Sequence, residues 1–281
     1  MTDGSTRLAA IQMRSGAAVT DNLERAAGLL AVAADRGAQL AVLPENFALM
    51  PNTERERLAA AETDGDGPIQ ALLAAQARRH KMWVIGGSVP LAAASRDRVF
   101  AASLVYDARG ERVARYDKIH LFDVELDGGE AYRESEYIHP GAPDQAVVVD
   151  TPCGRLGLSV CYDLRFPELY RRLSRCGAQL LCVPSAFTWT TGRVHWEVLL
   201  RARAVENLAF VVAPAQYGEH DNGRRTYGHS MIVGPWGEIR ATLAEGDGVA
   251  VTDVDLGALT RLRRRFPSLA HRCIACSETP Y

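Results

Sequence analysis

Short apolar runs alternate with longer stretches of helical periodicity along the first half of the chain. A short continuous apolar run is typical of a strand buried on both faces, whereas apolar positions that recur every three or four residues indicate a helix packed on one side. The predicted elements are a strand at 8–13, a helix at 21–36 capped by Thr20 or Asp21, a strand at 40–43, a helix from Pro68 to about residue 81, a strand at 83–86, and a hairpin of 99–106 with 112–116.

The second half of the chain repeats this order. Its predicted elements are a strand at 156–160, a helix at 166–175, a strand at 179–183, a helix at 194–207, a strand at 209–213, and a hairpin of 229–233 with 238–242. Residues 177–187 also repeat residue types of 37–47, with Gly, Ala, Gln, Leu, Pro and Phe at matching positions. The pattern therefore predicts an α/β sandwich of two pseudo-symmetric halves in a single domain at 1–272, followed by a tail at 273–281.

Composition and charge narrow the classes of partner. The 281-residue chain has a formal net charge of -2 and is 47% hydrophobic, so no electrostatic feature points to nucleic acid or an anionic membrane surface. No apolar stretch is long enough to span a bilayer, and residues 1–5 lack the basic and apolar regions of a signal peptide. We therefore expect a cytoplasmic protein. The pair Cys273 and Cys276 has metal-ligand spacing, but no second pair accompanies it, so no metal site is predicted.

Cys161 is the most informative residue, because it ends an apolar strand and a polar segment that begins a helix follows it. Glu45 and Lys118 also follow predicted strands, and side chains at the carboxyl ends of strands in α/β sheets collect around ligand sites. A thiol at its ordinary pKa needs a base or a nearby cation to become nucleophilic. We expect Glu45 to accept the thiol proton, with a pKa raised by burial and by a neighbouring acid, and Lys118 to stabilise the thiolate and the oxyanion.

A Cys–His pair is the alternative within enzymes. His195 and His229 lie in apolar or Gly-rich surroundings, but neither is followed by an obvious Asn or Asp that would orient it. The chain also shows neither a phosphate-binding loop nor a dinucleotide fingerprint, so no organic cofactor is predicted.

Three separated motifs resemble the nitrilase superfamily of carbon–nitrogen hydrolases: Leu-Pro-Glu-Asn-Phe at 43–47, Tyr-Asp-Lys-Ile-His-Leu-Phe-Asp at 116–123, and Cys-Tyr-Asp-Leu-Arg-Phe-Pro-Glu at 161–168. The resemblance implies an α-β-β-α sandwich that assembles into four-layer homo-oligomers, a homodimer or larger. It also implies that the catalytic triad falls on Glu45, Lys118 and Cys161. A second glutamate of the family falls on Glu134, with Glu136 as the alternative register, and would orient or acidify the triad.

Residues 184–206 and 227–237 are similar to the deaminated-glutathione amidase branch of this superfamily. That branch hydrolyses a small-molecule amide to α-ketoglutarate and cysteinylglycine, without a metal or organic cofactor. An ω-amidase acting on small α-keto acid amides is the second reading. Two less favoured alternatives are a nitrile hydrolase and a catalytically silent binding protein of the same fold.

The substrate implied by this branch carries carboxylates, which guanidinium groups bind well. We assign that role to Arg165, whose alternative is a salt bridge with Glu168, and a supporting hydroxyl to Thr191. The backbone N–H of Tyr162 is assigned to the oxyanion site.

Overall fold

The computed structural model describes residues 5–95, 97–126 and 130–274. Its helices are α1 Val19–Asp35, α2 Glu54–Ala59, α3 Pro68–His80, α4 Pro167–Arg175, α5 Trp189–Asn207 and α6 Leu256–Arg265. The strands of the first half are β1 Ser5–Gln12, β2 Leu40–Val42, β3 Trp83–Ala92, β4 Val99–Tyr106, β5 Arg112–Asp117, β6 Asp123–Glu125 and β7 Ala131–Arg133. Those of the second half are β8 Val148–Thr151, β9 Gly154–Leu158, β10 Leu180–Cys182, β11 Phe210–Ala213, β12 Tyr217–Glu219, β13 Arg225–Tyr227, β14 Ser230–Val233, β15 Ile239–Leu243 and β16 Gly248–Asp255.

Two six-stranded sheets share one topology. The first has the order β16-β1-β2-β3-β4-β5 and the second, read in the same sense, has the order β8-β9-β10-β11-β14-β15. In both sheets the third strand of this order, β2 or β10, is parallel to its two neighbours, and the other three pairings are antiparallel. Leu40 pairs with Leu8 in one sheet, as Leu180 pairs with Leu156 in the other. The predicted pseudo-symmetry of the two halves is confirmed.

The two sheets pack face to face between outer layers of helices. Alternate residues of β1 show this arrangement, because Leu8 and Ala10 join the core between the sheets while Ala9 and Ile11 join the core beneath α1 and α3. Both faces of β1 are buried, which explains its unbroken apolar run. The helices α4 and α5 cover the outer face of the second sheet. The predicted α-β-β-α sandwich is confirmed.

Two predicted helix starts are wrong. The first helix begins at Val19 after Ala18, and neither Thr20 nor Asp21 caps it. The helix predicted at 194–207 begins five residues earlier, at Trp189, because the Thr188 side chain accepts a hydrogen bond from the Thr191 amide and caps its first turn.

The ends of the chain add two facts. Residues 275–281, including Cys276 of the predicted tail, lie outside the described residues. Within the described part of the chain, no helix has both the length and the apolar character needed to cross a membrane.

Candidate active site

The turns that follow β2, β5, β9 and β10 meet at one end of the sandwich and enclose a pocket. The pocket contains about 480 Å³ of space that protein atoms do not fill, part of it open to solvent. Its lining combines four catalytic candidates with aromatic and cationic side chains: Glu45, Asn46, Arg57, Lys118, Phe122, Tyr132, Glu134, Tyr137, Cys161, Tyr162, Arg165, Ala186, Phe187, Thr188, Thr191 and Arg224. All seven residues that the sequence predicted for the site therefore line one cavity.

Glu45 reaches this pocket on a tight turn after β2. The strand ends before Pro44, and Asn46 adopts a left-handed φ of 57°, with its amide donating to Ser88 Oγ at 2.9 Å. Gly87 lets β3 pass beneath this turn, since a Cβ there would lie 2.1 Å from a carbonyl oxygen of Leu43. The close approach of β3 to this turn buries Glu45, which is only 3% exposed.

Lys118 joins two carboxylates in the interior. Its Nζ donates to Glu45 Oε1 at 2.9 Å and to the two oxygens of Glu134 at 2.8 and 2.7 Å. Glu134 also accepts from the Phe122 amide at 2.6 Å, which fixes its carboxylate toward the ammonium. The alternative Glu136 is exposed and does not line the pocket. The second glutamate beside the lysine is thus Glu134.

Cys161 begins a short 3-10 turn. Two residues separate it from the end of strand β9. Its φ of 47° is unusual for a residue with a side chain and resembles the strained turns that present nucleophiles at sheet edges. The Cys161 amide donates to the Pro184 carbonyl at 2.9 Å, and the Ala186 backbone hydrogen-bonds to the sulfur. The nucleophile is held between its own turn and the turn after β10.

Asp163 ties the cysteine turn to the lysine segment. Its fully buried carboxylate accepts hydrogen bonds from Tyr116 Oη at 2.7 Å, from the Val160 amide at 2.8 Å and from the His120 amide at 3.1 Å. Because Tyr116 and His120 flank Lys118 in the sequence, this network sets the position of the ammonium relative to Cys161.

The charges define the resting state of the pocket. Burial alone would raise the pKa of Glu45, but the cations Lys118 and Arg224 outweigh it and hold that pKa below its usual value. Burial opposes the charge of Lys118, yet Glu134 and Glu45 raise the pKa of the ammonium overall. Burial and the Glu45 charge raise the pKa of the Cys161 thiol. The raised pKa expected for Glu45 is wrong: these shifts favour an ionised Glu45, a charged Lys118 and a neutral Cys161 thiol.

The predicted substrate-binding residues surround the same space. Arg165 donates to His195 Nδ1 at 3.3 Å and lies over the Phe187 ring at 5.3 Å, and no described ion pair joins it to Glu168. The Thr191 hydroxyl lies 3.0 Å from the Thr188 hydroxyl in the first turn of α5.

The structure does not support the Cys–His alternative. The imidazoles of His195 and His229 do not line the pocket, and His229 stacks on Tyr227 instead. The region of the chain that the structure describes also holds no cluster of three or more His, Cys, Asp or Glu side chains suited to a metal ion.

Sequence reasoning missed Arg224 and Tyr132. The guanidinium carbon of Arg224 lies 5.1 Å from the centroid of the Tyr132 ring, and both side chains line the pocket. Tyr132 is two residues before Glu134, a spacing that could have indicated it. Arg224 follows Asn222 and Gly223, a composition typical of an exposed turn, so no sequence signal indicated its position.

Comparison with known proteins gives a consistent result. The profile of the family described as carbon-nitrogen hydrolase matches residues 7–264. The chain is 43% identical to a deaminated glutathione amidase of Synechocystis sp., over 94% of this chain and 97% of that protein. It is 41% identical to a deaminated glutathione amidase of Yersinia enterocolitica, over 98% of this chain and 96% of that protein. The crystal structure of the Caenorhabditis elegans NitFhit protein superposes with a TM-score of 0.90 at 38% identity, covering 97% of this chain and 66% of that one.

Proposed function

Because the chain belongs to the carbon–nitrogen hydrolase family, we propose that it hydrolyses the amide bond of deaminated glutathione, releasing α-ketoglutarate and cysteinylglycine. The chain is an amide-hydrolysing enzyme. The observation that carries the assignment of the chemistry is the buried group of Glu45, Lys118 and Glu134 beside the Cys161 thiol in one pocket. The names of the relatives support the substrate.

The first half of the reaction forms a thioester. The sulfur of Cys161 attacks the amide carbon while the thiol proton passes to the Glu45 carboxylate, so a carbon–sulfur bond forms and the carbonyl oxygen becomes an oxyanion. The Lys118 ammonium stabilises this charge, together with the backbone N–H of Tyr162. The carbon–nitrogen bond then breaks, and Glu45 returns its proton to the departing amine.

The second half consumes water. Glu45, again a carboxylate, removes a proton from water as the oxygen attacks the thioester carbon. The carbon–sulfur bond breaks, the sulfur recovers the proton from Glu45, and the free acid leaves. A low pKa of Glu45 keeps it ionised before each step, and the Lys118 ammonium remains charged throughout. We assign Glu134 to holding that ammonium in place.

Arg165 and Thr191 are assigned to the acyl group. Arg165 has no carboxylate partner among the described residues, so its guanidinium is available to the α-keto carboxylate at the far end of the acyl chain. Thr191 can donate its hydroxyl to the same end.

The test is a comparison of kcat/KM for deaminated glutathione and α-ketoglutaramate, with Cys161→Ala as the matched variant. We expect the wild type to prefer deaminated glutathione and Cys161→Ala to lose turnover on both while its melting temperature stays within a few degrees. A preference for α-ketoglutaramate would replace the substrate with that of an ω-amidase. Unchanged activity of Cys161→Ala would exclude it as the nucleophile.

We propose that the protein acts as a homodimer formed through the outer face of α5. Val194, Val198 and Val205 on this helix are 58%, 59% and 46% exposed, and the neighbouring Trp236 is 60% exposed. Such an apolar stripe is typical of an interface. Light scattering should give twice the mass of the chain for the wild type, and a single chain for Val198→Glu.

We also propose the domain and the cellular compartment in which this activity lies. We place the activity in one domain at 1–272, supported by the family match over 7–264. We place the enzyme in the cytoplasm, where a free catalytic thiol stays reduced, and the five described cysteines are all free.

A further inference from the structure

Arg224 connects the candidate active site to a second, outer cleft. The two cavities share the side chains of Arg57, Tyr132, Tyr137 and Arg224 in their linings. The outer cleft holds about 1230 Å³ of unfilled space and the inner pocket about 480 Å³, each of them partly open to solvent. Arg224 therefore stands at the passage between the catalytic groups and the exterior.

The guanidinium of Arg224 is only partly bonded. Its Nη2 donates to the Ala186 carbonyl at 2.5 Å, while its Nε is buried and has no hydrogen-bond partner among the described residues. Of the five N–H donors of this guanidinium, the one on Nε is therefore unused. An unpaired buried donor is costly, which indicates that a further acceptor completes this site.

The carboxylates nearby are already bonded to other groups. Glu54 pairs with Arg57 at 2.9 Å, and Glu130 accepts from the hydroxyls of Tyr132 and Thr190. No carboxylate in the described ranges lies within ion-pair distance of Arg224. At longer range, the charge of Arg224 lowers the pKa of Glu45. The cation is thus free to pair with an anion supplied by a ligand.

The position of Arg224 selects the part of the substrate that it can reach. Arg165 lines the inner pocket but not the outer cleft, so an acyl group held by Arg165 leaves the amine side directed toward the cleft. Arg224 and the nucleophile also share a partner, since the Ala186 backbone bonds to the Cys161 sulfur and the Ala186 carbonyl accepts from Arg224 Nη2.

We propose that Arg224 is a specificity residue that binds the terminal carboxylate of the leaving amine, so that the outer cleft is a subsite for small peptides ending in a free carboxylate. This inference rests on the proposed function, because it takes an amide with a peptide leaving group as the substrate. It divides recognition between two arginines: Arg165 binds the carboxylate of the acyl group and Arg224 binds that of the amine.

The experiment pairs a change in the enzyme with a change in the substrate. Deaminated glutathione is compared with the same compound whose glycine carboxylate is a neutral carboxamide, using the wild type, Arg224→Gln and Arg224→Lys. We expect Arg224→Gln to lose on the order of 10- to 100-fold in kcat/KM on the carboxylate substrate, chiefly through KM, and less than about threefold on the carboxamide. Arg224→Lys should recover part of the preference, because it restores the charge without the planar guanidinium.

Arg225→Gln is the matched control. Arg225 is the next residue and lines the same cleft, but it is exposed and stacks on Trp189, with its guanidinium carbon 3.8 Å from the centroid of that ring. We expect it to change the ratio of the two substrates less than twofold. Thermal melting of each variant identifies a loss of folding.

Each outcome decides between the two proposals. Equal losses of Arg224→Gln on both substrates, or a larger change of the ratio in Arg225→Gln, would overturn the role of Arg224 and leave the proposed function standing. A wild type that hydrolyses α-ketoglutaramate but neither peptide amide would overturn the proposed substrate and this subsite together.

Discussion

The buried ammonium of Lys118 makes a quantitative prediction about stability. Lys118→Met preserves the length of the side chain but removes the charge that lies 2.9 Å from Glu45 and 2.7 Å from Glu134. Both carboxylates are then left without their cation in a region where Lys118 was 1% exposed. Removing one partner of a buried ion pair costs about 3–5 kcal/mol of unfolding free energy.

The loss of unfolding free energy cannot exceed the cost of protonating the carboxylate, because a destabilised carboxylate takes up a proton instead. That cost follows from the ordinary pKa of the carboxyl group and the pH. Starting from the ordinary value of 4.5 for Glu45, protonation at pH 7.5 costs about 4 kcal/mol, and at pH 5.5 it costs only about 1.4 kcal/mol. We therefore expect Lys118→Met to lose about 3–4 kcal/mol at pH 7.5 and about 1–2 kcal/mol at pH 5.5.

The direction of the pH effect follows from the two pKa shifts. In the wild type the pKa of Glu45 lies below 4.5, so its contribution to stability is fully present above pH 4.5 and is lost only as the pH falls through that lower value. In Lys118→Met burial of Glu45 is no longer opposed by the ammonium, so we expect the pKa of Glu45 to rise and the variant to gain stability relative to the wild type as the pH falls from 7.5 to 5.5.

Urea unfolding followed by tryptophan fluorescence at the two pH values measures these differences. The triple variant Lys118→Met, Glu45→Gln, Glu134→Gln removes all three charges and should recover most of the loss, while Lys81→Met changes an exposed lysine and should shift stability by less than about 0.5 kcal/mol. A loss below about 1 kcal/mol at pH 7.5, or an equal loss at both pH values, would refute the reasoning.

Four further predictions concern single groups of the site. Asp163→Ala should lower the unfolding free energy, measured by urea unfolding, by about 2–4 kcal/mol, because it leaves several buried donors unpaired. A loss under about 1 kcal/mol would contradict this. The acid limb of kcat/KM should fall below pH 4.5, since the pKa of Glu45 is lowered; a limb near pH 6 speaks against it. Inactivation of Cys161 by iodoacetamide should still accelerate above about pH 8.5, because the pKa of this buried thiol is raised, and an earlier plateau would be inconsistent. Glu134→Gln should lower kcat about 100-fold and Glu136→Gln less than twofold, whereas equal effects would remove the distinction.

The elements that pack on both faces were the ones that sequence patterns predicted well. The strand at 99–106 has the same bounds in the structure, because a buried strand must be apolar along its length. The edge strand β8 and the strand β16 were not predicted. Residues 148–151 are only partly buried, so their pattern carries little signal, and β16 pairs with β1 from the other end of the chain.

The site could be predicted as far as it depends on the ends of strands. Glu45, Lys118 and Cys161 each follow a strand, so a common sheet edge brings them near one pocket. The lowered pKa of Glu45 could not be predicted in full, since it depends on Arg224 as well as on Lys118, and packing against Tyr132 brings Arg224 from a polar turn. Local sequence carries no information about such a distant pairing of loops.

Lys118 has one more consequence, for handling the protein in the laboratory. Lys81 and Lys118 are the only lysines in the chain. Lys118 is enclosed between two carboxylates, while Lys81 is exposed at the end of α3 and does not line the catalytic pocket. An amine-reactive dye or solid support therefore finds one accessible lysine side chain, Lys81, besides the α-amino group of the chain, so the folded enzyme can be labelled or immobilised with its catalytic amine untouched.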